Sequence, residues 1–173
     1  MGEEKEEKTK PKLNREFSSG GVVYKNNNSL NSEILFLVSK SKPSPEYPKD
    51  NWRFPKGWID DDGVDIPGPK ASGKVKATEE DLEKTAVREV MEEGGVEAKV
   101  IKKIKTINFF YKHKTRGLTL KFVTFYLMEY IKELEEGFGF ETEKVEWLNY
   151  TESIKRLTNR KEKEILTTAF NML

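Results

Sequence analysis

Residues 88–96 read Arg-Glu-Val-Met-Glu-Glu-Gly-Gly-Val and predict an acidic helix that ends at two glycines. Glu89, Glu92 and Glu93 are spaced i, i+3 and i+4, so their side chains should project from one face. Like charges at this spacing cost an isolated helix roughly 0.2–0.5 kcal/mol per pair, a cost that a divalent cation would offset. Hard cations such as Mg²⁺ take oxygen ligands from carboxylates and substrate phosphates. The alternative interpretation is a solvated acidic face on an ordinary helix.

The rest of this helix is consistent with a metal-binding face. At about 100° per residue, an apolar arc lies opposite the carboxylates and predicts the buried side. Its members are Ala86, Val87, Val90 and Met91. Thr78 is the predicted N-cap, with Asp81 three residues on, and the two glycines end the helix, which we predict over Glu79–Gly94. Arg88 flanks the acidic face and reaches Glu92 at i+4.

A second motif lies upstream and reads Trp52-Arg53-Phe54-Pro55-Lys56-Gly57-Trp58-Ile59. Together with the acidic helix it resembles the signature of the Nudix (MutT-like) hydrolases, in which a Phe-Pro-Lys-Gly loop leads into Arg-Glu-apolar-x-Glu-Glu-x-Gly-apolar. Residues 88–96 match that half position by position, and Ser18–Tyr24 is similar to the family's opening strand. The resemblance covers about residues 17 to 170. It implies an α/β (α+β) fold, the αβα sandwich with a mixed β-sheet between helices.

The spacing between the two halves of the motif departs from the family pattern. The family usually has five residues between its leading Gly and its first Glu, whereas residues 58–79 separate Gly57 from Glu80. We therefore interpret residues 60–77 as a loop insertion, flexible and polar over 71–74. Two groups of residues carry strong turn signals, Asp60-Asp61-Asp62-Gly63 and Pro67-Gly68-Pro69. The acidic run is either an extra cation site or a solvated turn.

The resemblance also implies the chemistry. Nudix enzymes cleave a phosphoanhydride of a nucleoside diphosphate linked to another group, using water and Mg²⁺, with Mn²⁺ as an alternative. It implies metal ligation by the carbonyl of Gly57 and by the carboxylates of Glu89, Glu92 and Glu93. Arg88, counted with the catalytic set, and Glu80 would brace the helix and loop. Further candidates for the base are Glu141 and Glu143, although each could also be simply exposed.

Substrate-binding candidates cluster in the segment from Phe109 to Arg116. Tyr111 or Phe109 could stack on a purine, while the cations Lys112, Lys114 and Arg116 meet a polyphosphate. His113 is predicted as a surface or phosphate-contacting residue. The alternative is that alternate aromatic residues pack in the core and the turn is merely solvated. Upstream, Lys56 is a further predicted phosphate contact.

The segment from Phe109 to Phe170 is most similar to Nudix enzymes acting on diadenosine polyphosphates and to the related group acting on diphosphoinositol polyphosphates. An inositol pyrophosphate needs a strongly basic pocket, whereas the approach to Trp147 is acidic, which favours the dinucleotide. RNA cap or 5′-end pyrophosphohydrolysis is also open. A Nudix module that only binds ligands typically lacks the catalytic carboxylates, which this chain keeps.

Composition fits one enzyme domain over residues 15–173, preceded by a charged tail over residues 1–14 that we expect to be disordered. The net charge of +1 gives no bulk attraction to nucleic acid or membrane. The chain has no Cys, which excludes disulfides and thiolate chemistry. No run approaches the ~20 apolar residues of a membrane span. We expect an intracellular, cytoplasmic enzyme with a small-molecule polyphosphate partner, and nucleic acid is disfavoured.

Alternating apolar patterns predict the remaining elements. Strands are expected over Phe17–Lys25, Glu33–Lys40, Asn51–Phe54, Lys99–Tyr111, Thr119–Ile131 and Val145–Leu148. An Asn-rich loop over residues 26–32 joins the first two. Two further helices are expected over Thr151–Leu157 and Arg160–Met172.

Overall fold

The structure is a computed structural model that describes residues 10, 12–29, 31–45 and 47–173. Most of the predicted disordered tail, residues 1–9 and 11, therefore lies outside the described residues. At the end of that tail, Asn14 is already the first residue of strand β1, and its side-chain amide donates to the backbone carbonyl of Arg116. The fold thus begins three residues earlier than the predicted first strand.

A mixed sheet of seven strands forms the centre of the described part of the chain. Its strands are β1 Asn14–Asn27, β2 Glu33–Ser41, β3 Asn51–Arg53, β4 Lys56–Trp58, β5 Val96–His113, β6 Gly117–Glu133 and β7 Thr142–Asn149. The strand order is β3-β2-β1-β6-β5, with β4 paired to β1 and β7 paired to β2. Strands β1 and β6 are parallel, and the other pairs are antiparallel.

Strand β1 changes partner along one edge, which brings β4 into the sheet. Ser18–Gly20 pair with β4, and Tyr24–Asn27 pair with β2. The predicted loop over residues 26–32 is therefore too long, because Asn26 and Asn27 continue the ladder opposite Ile34 and Glu33. Backbone pairing to β2 outweighs the turn preference of the asparagines.

In the described part of the chain three helices cover the sheet, α1 Glu79–Gly94, α2 Tyr150–Arg156 and α3 Arg160–Asn171. Alternate strand residues point to opposite faces, so the sheet supports two cores. The core beneath α3 includes Phe36, Phe125, Leu127, Ile165 and Leu166. The core beneath α1 includes Val23, Leu37, Ala86, Val90 and Met128. Helices on both faces of a mixed sheet confirm the predicted αβα sandwich. No helix within the described residues is long and apolar enough to cross a membrane.

Helix α1 has the predicted ends, and its buried face includes the predicted Ala86 and Val90 but not Met91. Thr78 and Asp81 form a reciprocal capping box, and Gly95 ends the helix in the left-handed conformation with φ 68°. The apolar arc was predicted to include Met91, yet that residue is 36% exposed, whereas Glu89 and Glu93 are buried. The buried side is rotated toward the carboxylates because their side of the helix faces the Phe-Pro-Lys-Gly segment.

The insertion of residues 60–77 forms turns that are fastened to the domain. The carboxylate of Asp60 accepts the backbone N–H groups of Lys70 at 3.0 Å and Ala71 at 2.7 Å. Ala71 is fully buried, and its carbonyl accepts the N–H of Phe17 in β1. The predicted flexible segment 71–74 is therefore anchored at its first residue. Asp60 folds the loop, since both of its oxygens already accept backbone hydrogen bonds.

Candidate active site

A cavity of about 570 Å³ lies beside the C-terminal half of α1. Strand β4 and the turn before β7 form its other walls. Its charged lining residues are Arg53, Lys56, Asp61, Asp65, Arg88, Glu89, Glu92, Glu93, Lys121 and Glu141. Six acids against four bases leave an excess of carboxylates, which suits a site for a divalent cation.

Glu89 is buried against the backbone of Gly57. A Cβ added at residue 57 would lie 2.2 Å from Oε1 of Glu89, so only glycine leaves room for this carboxylate. Burial raises the pKa of Glu89 to about 7; the neighbouring Glu93 and Glu92 add to the rise, and Arg88 opposes it. A buried carboxylate beside other carboxylates is stabilised in its charged form by a cation.

Arg88 ties α1 to the chain that follows Gly57. Its Nη2 donates to Oε1 of Glu89 and to the carbonyl of Trp58, both at 2.7 Å. Its Nη1 donates to the carbonyl of Ile59 at 3.4 Å, and its Nε lies 3.8 Å from a carboxylate oxygen of Glu92. One guanidinium therefore fixes the distance between the acidic helix and the loop.

Glu93 is held by two donors from the Phe-Pro-Lys-Gly segment. Its Oε1 accepts from Nη2 of Arg53 at 2.5 Å, and its Oε2 accepts the backbone N–H of Lys56 at 3.0 Å. Sequence reasoning missed Arg53, although it directly precedes Phe-Pro-Lys-Gly. The available signal was a lone arginine beside a motif expected to lie against an acidic helix.

The three helical carboxylates were predicted to bind one metal, and all three line the first cavity. No group of three acidic or His residues placed to hold a metal occurs in the part of the chain that the structure describes. Glu92 projects outward with 61% of its side chain exposed, while arginines hold Glu89 and Glu93. Helical spacing determines the direction in which each side chain leaves the backbone, but it does not determine where the carboxylate at its tip lies. The donor chemistry still fits a hard cation, because the glycine at 57 leaves a carboxylate beside a backbone carbonyl.

Lys56 and Glu80 differ from their predicted roles. The ammonium of Lys56 is paired with the buried carboxylate of Glu162 on α3, so it is not free to contact phosphate. Glu162 also accepts the N–H of Phe54 at 3.0 Å, and thus holds the loop at two points. Glu80 pairs with Lys84 on the helix surface, where it is 74% exposed, and among the described residues it forms no hydrogen bond or ion pair with the loop. Burial lowers the pKa of Lys56, although Glu162 opposes this.

A second cavity of about 480 Å³ adjoins the first. The two share lining residues, namely Arg53, Trp58, Asp65, Lys121, Phe140 and Glu141. Tyr111 and Arg116 line the second cavity, but both donate to the buried carboxylate of Glu16. Trp58 donates to the same carboxylate at 3.2 Å. Burial alone would raise the pKa of Glu16, but hydrogen bonds from Tyr111 and Arg116 lower it overall.

Other substrate candidates lie away from both cavities. Lys112 and Lys114 are exposed near the β5–β6 turn and line neither cavity, because their positions on the hairpin point outward. Phe109 packs against the core beneath α3, which corrects its predicted stacking role. His113 lines the second cavity, and its Nδ1 accepts the backbone N–H of Arg116 at 3.1 Å.

The two predicted extra bases are separated by the fold. Glu141 lines both cavities, and burial together with Glu93 raises its pKa. Glu143 lines neither and instead lies 3.3 Å from the ammonium of Lys40. Phe140 lies between Gly139 and Glu141 in the turn before β7. It is 81% exposed and lines both cavities.

Lys121 of β6 is a second site residue that sequence reasoning missed. It lines both cavities and forms no hydrogen bond or ion pair among the described residues. Burial lowers its pKa to about 8, and the charges of Lys56 and Arg53 add to this. A single lysine within an otherwise apolar strand, Leu118–Met128, was the signal that could have found it.

Comparison with known proteins agrees with the motif and the fold. A family model described as NUDIX domain matches residues 17–170. A C. elegans Ap4A hydrolase binary complex is 19% identical at TM-score 0.58, covering 91% of this chain and 96% of that one. The NUDIX domain of Shewanella oneidensis NrtR, complexed with ADP ribose, is 15% identical at TM-score 0.59, with 98% and 94% covered. The E. coli dihydroneopterin triphosphate pyrophosphohydrolase is 14% identical at TM-score 0.60, with 92% and 98% covered.

At these identities the structural matches show a shared fold, and no curated protein matches the chain significantly in sequence. The family model spans nearly all of the described domain and includes both motif halves. The chain therefore belongs to the Nudix domain family, as a pyrophosphohydrolase.

Proposed function

We propose that this enzyme hydrolyses a phosphoanhydride bond of a diadenosine polyphosphate in a Mg²⁺-dependent reaction. The observation that carries the proposal is the pair of adjoining cavities, one rich in carboxylates and one lined by aromatic residues, with Arg53 and Lys121 shared between them. A dinucleotide polyphosphate has the same order of groups, a charged chain beside a flat base. Similarity of fold to an Ap4A hydrolase supports the choice without establishing it.

The carboxylate-rich cavity would bind the metal and the reacting phosphate. Glu89, Glu92 and Glu93, with the carbonyl of Gly57, are the proposed ligands. A bound divalent cation supplies charge neutralisation for the phosphate oxygens and acidifies water. Glu141 is the proposed base, since it lines the cavity and burial together with Glu93 raises its pKa. A base works best when its pKa lies near the working pH.

The second cavity would hold one adenosine. Trp58 and Tyr111 form part of its wall, fixed by their hydrogen bonds to Glu16. Phe140, exposed at the mouth, is free to stack on the base from the open side. Lys121 would meet the polyphosphate between the two cavities, because its ammonium has no protein partner among the described residues.

An inositol pyrophosphate is less well supported. The two exposed lysines at the hairpin turn, Lys112 and Lys114, line neither cavity, and the carboxylates of Glu16, Asp65 and Glu141 line the second cavity beside its basic residues, which disfavours so densely charged an anion. RNA 5′-end cleavage has no feature of the cavities in its favour. Both alternatives serve as arms of the experiment.

Product analysis with Mg²⁺ tests the proposal. Diadenosine tetra-, penta- and hexaphosphate are compared with diphosphoinositol pentakisphosphate and 5′-triphosphorylated RNA, with Glu93→Gln as the inactive control. The proposal expects preferential dinucleotide cleavage with ATP or ADP among the products. Faster phosphate release from the inositol or the RNA would overturn the substrate assignment. Absence of cleavage of every substrate, with Mg²⁺ or Mn²⁺, would favour a binding module.

A further inference from the structure

Arg53 occupies a position that no part of the Nudix motif requires. Its side chain is 19% exposed, and it lines both the carboxylate-rich cavity and the aromatic cavity. Its Nη2 donates to Oε1 of Glu93 at 2.5 Å, whereas its Nε is buried without a hydrogen-bond partner among the described residues. One guanidinium thus carries a bound donor and an unused donor at the junction of the two cavities.

The hydrogen bond from Arg53 to Glu93 conflicts with metal binding through the same carboxylate oxygen. Both oxygens of Glu93 accept hydrogen bonds, one from Arg53 and one from the backbone N–H of Lys56. A divalent cation that takes Oε1 would lie beside the guanidinium of Arg53, and the two positive charges repel. The backbone donor at Oε2 is neutral and imposes no such repulsion. Cation binding at Glu93 therefore displaces Arg53 rather than the loop.

A displaced guanidinium needs another acceptor. Burying an arginine without an anion is costly, and the junction of the two cavities offers Arg53 the carboxylates of Asp65 and Glu141 beside the ammonium of Lys121. Arg53 and Lys121 line this junction together, and a substrate phosphate there can compete with Asp65 and Glu141 because the planar fork of arginine can supply it with two parallel hydrogen bonds.

We infer that Arg53 is a phosphate-positioning residue, whose guanidinium exchanges Glu93 for a substrate phosphate when a divalent cation binds Glu93. The inference rests on the proposed function and adds an order to it. The cation binds first and frees Arg53, which then binds the polyphosphate. Binding of the cation and binding of the substrate therefore favour each other. An arginine that only oriented Glu93 would instead be needed for cation binding.

Two binding measurements separate these roles. Mn²⁺ alone is titrated calorimetrically into the wild type, Arg53→Gln, Arg53→Lys and Arg160→Gln. ADP is then titrated with equal Mg²⁺ in cell and syringe. Arg160 is the matched control, since its side chain is 92% exposed and its partner Glu164 lies on the same surface helix. Thermal melting of each variant checks that the fold is retained.

Arg53→Gln is expected to bind Mn²⁺ about tenfold more tightly than the wild type, which corresponds to about 1.4 kcal/mol, and ADP about tenfold more weakly. Arg53→Lys should recover part of the ADP affinity, and Arg160→Gln should match the wild type in both titrations. Equal or weaker Mn²⁺ binding by Arg53→Gln would overturn the exchange, as would unchanged ADP affinity. Failure of the proposed function looks different, because the wild type would then cleave no dinucleotide while these titrations stayed readable.

Discussion

Replacing Glu89 by Gln should stabilise the protein in the absence of divalent metal. The carboxylate of Glu89 is buried against Gly57, and burial raises its pKa from 4.5 to about 7. A carboxyl whose pKa is higher in the folded state than in the unfolded state disfavours folding once it ionises. The penalty is therefore absent well below pH 4.5, grows between pH 4.5 and about 7, and is fully present at pH 8.

The size of the effect follows from the shift. A rise from 4.5 to about 7 corresponds to about 3 kcal/mol at pH 8, at roughly 1.4 kcal/mol per pKa unit. Gln keeps an oxygen that can accept from Arg88 but adds an amide N–H₂ group, whose incomplete hydrogen bonding costs about 1 kcal/mol. The net gain is about 2 kcal/mol, which raises the melting temperature by about 4–8 °C in a domain of this size.

The assay is thermal unfolding in chelator-treated buffers at pH 5, 6, 7 and 8. The difference between Glu89→Gln and the wild type should grow with pH and shrink when Mn²⁺ is added, because the cation stabilises only the wild-type carboxylate. Glu80→Gln is the matched control on the same helix, because the Glu80 side chain is 74% exposed and its replacement is expected to change little. A Glu89→Gln variant that melts below the wild type at pH 8 would show that the ion pair with Arg88 outweighs burial, and the reasoning would be wrong.

Four further perturbations test the site and its supports. Glu162→Gln should lower the free energy of unfolding by about 3–5 kcal/mol in urea, because the buried ammonium of Lys56 loses its partner; a loss below about 1 kcal/mol would contradict this. Gly57→Ala should weaken Mn²⁺ binding at least about tenfold in calorimetry, since the new methyl group would displace a carboxylate, and unchanged affinity would remove residue 57 from the site. Phe140→Ala should raise KM for diadenosine tetraphosphate about tenfold with kcat nearly constant, as expected for a lost stacking contact, whereas an unchanged KM would exclude stacking there. Deletion of residues 61–76 should lower the melting temperature yet leave Mn²⁺ affinity within about threefold, and a larger loss would mean that the insertion supplies ligands.

Short-range sequence signals were enough to predict the elements whose ends depend on residues a few positions apart. Helix α1 has the predicted bounds, Glu79–Gly94, because its capping box and terminal glycine act over one turn. The mixed sheet between helices followed from the motif. The α1 carboxylates were placed on the right helix, but Glu92 points outward while Glu89 and Glu93 are buried.

The contacts that organise the site are long-range, and no local pattern encodes them. The ammonium of Lys56 and the carboxylate of Glu162 are 106 residues apart in sequence, and Tyr111 and Glu16 are 95 apart. Each of these residues has an ordinary surface interpretation in its own segment, since Lys and Glu are usually solvated. Only the folded sheet brings them close enough to compensate for each other's burial.

The acidic helix was predictable from its periodicity and capping residues, and the family and the αβα architecture from the resemblance of two separate sequence segments to the Nudix signature. Which charged side chains can contact a metal or a substrate depends instead on contacts formed only in the folded protein. The fold pairs Lys56, Tyr111 and Arg116 with buried carboxylates, and it places Arg53 and Lys121 at the junction of the two cavities. The physical reason is that a side chain's charge acts through its partners and its exposure, and both are set by residues distant along the chain.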